Sequence, residues 1–154
     1  MDMYMRNLGK ILILSSGVFL SINSIAGAGN YENVKATCYI LKNNKLIKKT
    51  DCIYDGSIAS TMQEHTSQVG SEINYKVQGY GRISVTAGSE VMNYPDERVI
   101  DSYTTLNGKK AVFQYRNQHL QLVPNKVAQK TNTKTLLECY KNPKLGFELC
   151  SKDK

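Results

Sequence analysis

The 154-residue chain has no tryptophan, only two histidines and no C-x-x-C pair. His65 and His119 stand away from ligand spacing to any cysteine, so the usual zinc frameworks are not expected, nor is any other metal or cofactor. No G-x-S-x-G is present, which argues against a serine-hydrolase elbow. Gly79-Tyr80-Gly81 is a lone G-x-G with no downstream glycine or helix, so it is not a phosphate loop. No long helical pattern and no repeat at a fixed period appear.

What the chain does have begins with an address. Residues 1–28 read as a secretory signal peptide. Arg6 and Lys10 give a positive start, residues 11–25 are mostly apolar and uncharged, and Ala26-Gly27-Ala28 is a small-x-small cleavage site. That run of about fifteen residues is shorter than the ~20 needed to span a bilayer, and Ser15, Ser16, Ser21, Asn23 and Ser24 dilute it. No cysteine sits at the cleavage point, so a lipid anchor is not expected. The short positive region and the A-x-A site suit bacterial export to the periplasm.

Residues 29–154 are then one secreted domain. A chain of this length buries a little under ~70% of its unfolded surface, so its core is adequate but not generous. Losing Asp2, Arg6 and Lys10 takes the formal charge from +7 to +6. Such a surface attracts nucleic acid, anionic lipid or polysaccharide, or acidic proteins, and export disfavours the first. Four cysteines in an exported chain this small imply two disulfides. Cys38–Cys52 and Cys139–Cys150 each bracket a turn and are the favoured pairing. The crossed set, Cys38–Cys150 with Cys52–Cys139, stays open. If Asn43-Asn44 is a two-residue turn, Cys38 faces Lys49, so a Cys38–Cys52 bond needs a bulge or bend near Thr50-Asp51.

The remaining pattern is short alternating strands. Residues 34–41 and 45–49 flank Asn43-Asn44. Residues 29–33 are expected to fray, and 57–70 to form a loop or helical turn. In residues 72–78, Ile73, Tyr75 and Val77 alternate with polar side chains. Ile83 and Val85 share a face in residues 82–86, and residues 87–96 read as a loop. Asn107-Gly108 is the strongest hairpin signal; its register sets Phe113 against Ser102 and Tyr115 against Ile100. Residues 119–123 form a further strand with Leu120 and Leu122 inward. Residues 124–135 are a solvated linker, and two last strands carry Cys139 and Cys150. The fold class is all-β: a single small antiparallel meander, closed as a barrel or folded as a sandwich, stapled by two disulfides.

Chemistry is sparse. His65 or His119 with a carboxylate would serve as an acid–base pair in a small hydrolase. Asp96-Glu97 and Glu138/Glu148 are the carboxylates a glycosidase pair would draw on. Ten tyrosines stand beside no tryptophan, and Tyr54, Tyr80, Tyr94 and Tyr103 lie in or next to expected turns, where they suit a binding face. Lysines gather at two hairpin tips, with Lys42, Lys45, Lys48 and Lys49 at one and Lys109 and Lys110 at the other. They serve either as an anionic-surface patch or as edge protection against aggregation.

The leader, Cys38-Tyr39-x-x-x-Asn43-Asn44-Lys45-Leu46 and the late Cys139-Tyr140…Cys150 pair together resemble small uncharacterised disulfide-containing periplasmic proteins of Gram-negative bacteria. The architecture is also similar to the small periplasmic β-proteins that inhibit lysozymes. The expected function is a non-enzymatic exported binding module that caps or inhibits another protein. The alternatives are a basic protein associating with an anionic envelope component, and a small hydrolase using a histidine base. No nucleic-acid partner and no membrane span in residues 29–154 are expected.

Overall fold

Asn43 and Asn44 both adopt positive φ, at 50° and 64°, as do Asn107 and Gly108 at 50° and 73°. These are the two-residue turns that match the right-handed twist of paired strands, and asparagine and glycine reach them at least cost. Around them the computed structural model, which describes residues 24–63, 65–92 and 97–154, is one antiparallel sheet. Its strands are β1 (Ser24–Lys42), β2 (Lys45–Met62), β3 (Thr66–Val77), β4 (Gly81–Met92), β5 (Arg98–Leu106), β6 (Lys109–Lys110), β7 (Val112–Arg116), β8 (Leu122–Val123), β9 (Leu137–Asn142) and β10 (Phe147–Asp153). A single helical turn, α1 (Asn125–Ala128), lies between β8 and β9.

The spatial order is β6-β5-β4-β3-β2-β1-β10-β9-β7-β8. The sheet is all-β as expected but is not hydrogen-bonded into a closed barrel. Its seam is covalent instead. β6 and β7 are successive pieces of one extended run, broken at Ala111; β6 pairs with β5 and β7 pairs with β9. This overturns the register expected from Asn107-Gly108. Phe113 faces Tyr140 and Tyr115 faces Glu138, because the run leaves β5 after Ala111, whose N–H still donates to the Thr104 carbonyl at 2.8 Å. The physical reason is burial. Past Ala111 the run gains aromatic contacts on β9, with the Phe113 and Tyr140 rings 5.4 Å apart.

The concave face holds the main core: Ala36, Cys38, Ile40, Tyr75, Val77, Ile83, Val85, Leu106, Tyr140 and Leu149 among others. The convex face carries a smaller cluster of Leu41, Leu137, Cys139 and Cys150. Both favoured disulfides are formed. Cys139 and Cys150 are direct cross-strand partners. Cys38 pairs in register with Thr50 and Ala36 with Cys52, so Cys38–Cys52 is a diagonal bond with Cα atoms 5.8 Å apart. The required irregularity falls at Ile47, between the Ile40 and Leu41 pairings, rather than at Thr50-Asp51.

Three expected irregular segments are strands. Residues 29–33 belong to β1, with a bulge between Tyr31 and Val34. Residues 57–70 supply the end of β2 and the start of β3, and residues 87–92 belong to β4. Here the sheet runs on past the core. β10 stops pairing with β1 at Ala36, so among the described residues the lower part of β1 has β2 as its one partner strand. With no core behind either face, nothing demands alternation, and Ile58, Met62, Val69 and Val99 remain exposed. Gly88 lets the exposed Tyr103 ring of β5 lie directly over it; a Cβ there would push that ring aside.

Residues 119–123 shrink to the two-residue β8. Leu122 is exposed, and Leu120 takes φ of 63° to pack on the convex cluster. Residues 124–135 are not a bare linker: α1 buries Ala128, and Thr133–Thr135 form a 3₁₀ turn capped by Asn132. Of the expected leader, residues 1–23 lie outside the described residues, and Ser24–Ala28 continue β1 as backbone.

Candidate functional site

Strand alternation places the site. From Cys52, every second residue of β2 faces the core, so Tyr54 points inward; its register partner on β3 is Tyr75. Tyr31 on β1 sits opposite Gly56, where a Cβ would run into its ring and into the Glu72 carbonyl. The glycine thus admits the ring onto the concave face. Tyr31 meets Tyr54 edge-on at 5.7 Å, and Tyr54 meets Tyr75 at 5.2 Å. This chain of rings lines a cavity of about 490 Å³ where the core gives way to the open sheet.

Two carboxylates share that cavity. The Tyr54 hydroxyl donates to Asp153 Oδ1 at 2.8 Å, and the Tyr75 hydroxyl is 3.0 Å from Ser151 Oγ, both from β10. Glu138 on β9 faces Ser151 in register and so points into the same space. Desolvation raises the Glu138 carboxyl above its ordinary range, and the Asp153 charge adds to the rise. Burial likewise raises the phenols of Tyr31, Tyr54, Tyr75, Tyr115 and Tyr140. Glu138 adds to the rise at all of these but Tyr54, where the bond to Asp153 contributes instead. Lys134, Lys152 and Lys154 stand at the rim, with Lys154 Nζ held by Asp51 at 2.8 Å.

The tyrosines singled out from sequence scatter. Tyr54 lies within β2 and lines the cavity instead of a turn. Tyr103 lies within β5, 57% exposed, on the opposite face above Gly88. Tyr80 does sit in a turn, but its ring stacks on Phe147 at 5.9 Å and covers the far end of the core. Tyr94 lies outside the described residues. No common tyrosine loop face therefore forms among Tyr54, Tyr80 and Tyr103.

The lysines fare differently. Antiparallel order puts the turns at Asn43-Asn44, 78–80, Asn107-Gly108 and 143–146 at one end of the sheet. Lys42, Lys45, Lys109 and Lys110 flank these tips. Lys42 Nζ donates to the Leu145 carbonyl at 2.6 Å and so ties the first tip to the 143–146 turn, while Lys49 Nζ lies 5.2 Å from the Tyr39 ring centre and braces its own hairpin. Lys48 Nζ crowds Gly79 in the next turn, where φ is positive.

The other candidates separate. Glu138 faces the cavity, whereas Glu148 is buried on the convex face. There it accepts Arg116 Nε at 2.7 Å, Arg116 Nη2 at 2.8 Å and Gln114 Nε2 at 2.7 Å. They are not a carboxylate pair. His65 and His119 occupy two different exposed turns and neither lines the cavity; Asp96 lies outside the described residues. Cys139, Cys150 and Glu148 cluster closely, but the two sulfurs are bonded to each other and offer no thiolate to a metal.

Sequence reasoning missed Tyr31, Tyr75, Glu138 and Asp153 as one site. A partial signal existed. The symmetry of Cys139 and Cys150 about their turn implies that Glu138 and Ser151 face each other on the side away from the disulfide. Among the described residues no helix is long and apolar enough to cross a membrane. No protein-family model, curated protein or solved structure matches this chain.

Proposed function

We propose that this chain is a non-enzymatic binding module that caps or inhibits another protein, and that it does so with the tyrosine-lined mouth of its curved sheet. One observation carries the reading. Tyr31, Tyr54 and Tyr75 form a continuous ring chain at an open cavity, held by bonds from β10. Tyrosine gives large, rigid contact area with a polar end, which is the usual material of a binding hot spot. The two disulfides support assembly in an oxidising compartment, and with the leader sequence they favour the periplasm.

The test is affinity capture from envelope extract with the oxidised protein, washed at about 0.05 M and then about 0.5 M salt, where surface charge contacts are largely screened. One protein retained at high salt, and lost from a folded Tyr31→Ser/Tyr54→Ser variant, is the expected result. Equal retention by that variant overturns the reading.

A second reading has its own support in the shared end of the lysine tips: attachment to an anionic envelope component. Lys45, Lys109 and Lys110 changed together to Gln then abolish retention at low salt. Unchanged retention removes that reading.

A further inference from the structure

Glu138 makes no hydrogen bond or ion pair among the described residues, although its carboxylate sits in a cavity walled by tyrosine rings. The other acid of the cavity is satisfied: Asp153 accepts from the Tyr54 hydroxyl at 2.8 Å. On the convex face Glu148 holds Arg116 and Gln114. The Glu138 side chain is exposed to solvent at this cavity, but a ligand that entered would strip water from an unpaired carboxylate, and a cation is the group that offsets that loss. The walls point the same way. The negative faces of tyrosine rings attract an ammonium or guanidinium within about 6 Å, most strongly where water is excluded.

We propose that this cavity binds an organic cation, an alkylammonium or guanidinium group, with Glu138 as its counter-ion and Tyr31, Tyr54 and Tyr75 as its aromatic wall. The inference rests on reading the mouth as the binding surface, and it adds the chemistry of what enters. An anionic ligand would meet Glu138 and Asp153 together. A neutral one would displace water from Glu138 without pairing its charge. The volume of about 490 Å³ lies within the range of small-ligand sites and leaves room for a stem of several methylenes behind the charge. Two sources carry such a group: the basic side chain of a protein partner, and a free amine.

Lys134 and Lys152 at the rim are the internal competitors, since either ammonium swinging inward would occupy the ligand's place. The test therefore uses two proteins, the wild type and a Lys134→Gln/Lys152→Gln variant. Each is titrated with n-pentylammonium, 1-pentanol and pentanoate while tyrosine fluorescence and aromatic NMR shifts are followed. The expected result is saturable binding of the amine, at least tenfold weaker binding of the alcohol and of the acid, and at least tenfold loss in a Glu138→Gln variant that still melts cooperatively and no lower than the wild type. Nα-acetyl-lysine N-methylamide separates the sources. If it binds as the amine does, the ligand is a protein side chain; if the amine alone binds, the ligand is a free amine. Equal binding of amine and alcohol overturns the cation assignment and leaves the mouth a binding surface. No amine binding by either protein overturns it also. Failure of the binding reading itself shows separately, as capture that ignores Tyr31 and Tyr54.

Discussion

Glu138 is exposed to solvent, yet the rings around it take away enough water for its charge to cost the fold some stability. Its carboxyl is raised above the ordinary 4.5, first by desolvation and then by Asp153. At pH values between the unfolded and the folded value, the folded state therefore holds more of this proton than the unfolded chain does. For a group shifted this way, stability is greatest below the unfolded value and falls as pH climbs through the folded one. Asp153 from β10, Tyr31 from β1, Tyr75 from β3, Tyr115 from β7 and Tyr140 from β9 are the groups that interact with it. Glu138→Gln should thus raise the melting temperature at pH 7. The gain should shrink to nothing as the pH falls below about 4, where the wild-type carboxyl is also neutral. Thermal melts of both proteins at several pH values check this. A gain that persists at low pH would mean Glu138 acts through packing and not through its charge.

At the scale of elements, β7 is the piece that the sequence places worst and the structure holds hardest. The Asn107-Gly108 turn is legible because its backbone demand is local. That β7 then abandons β5 is not legible, because the attraction comes from Tyr140 and Glu148, distant in sequence. The same division runs through the molecule. Ile73, Tyr75, Val77, Ile83 and Val85 are readable wherever a core lies behind one face. Residues 57–70 and 87–92 are not, because their strands are solvated on both sides. The mouth is half legible: a tyrosine excess is visible in composition, but which rings converge depends on the pairing of β1, β2, β3, β9 and β10. β7 is fastened by Arg116, 3% exposed, which binds Glu148 on β10 and reaches Asn44 at the first tip at 3.0 Å. Removing one member of such a buried pair strands the other charge. Arg116→Met should cost about 3–5 kcal/mol in urea denaturation, and adding Glu148→Leu should restore much of it. If the double variant is no more stable than the single, the pair is not what pins this strand.

The whole molecule has a modest core and two staples. Closing a loop of roughly 15 residues is worth about 3 kcal/mol on the chain-entropy model, a large share of the 5–15 kcal/mol that ordinary domains possess. Replacing Cys139 and Cys150 together by Ala should therefore lower stability by about 3 kcal/mol and the melting temperature by on the order of 10 °C. The check is a melt of this variant beside the oxidised wild type; a difference under about 1 kcal/mol would assign the strength to β9–β10 packing instead.

The pairing of β1 with β10 sets the order of events in making the protein. β1 to β5 are successive hairpins, each able to form from neighbouring chain, but the upper part of β1 finds its second partner only in the last strand. Contacts of such long sequence separation form slowly, because loop-closure entropy must be overcome before they are rewarded. During synthesis the wide half-sheet stands, among the described residues, with the upper edge of β1 unpaired until β10 arrives. That interval exposes an unpaired strand to other chains. The final seven residues of sheet are thus a kinetic keystone: their late delivery decides whether the nascent strands meet their own terminus or a stranger's.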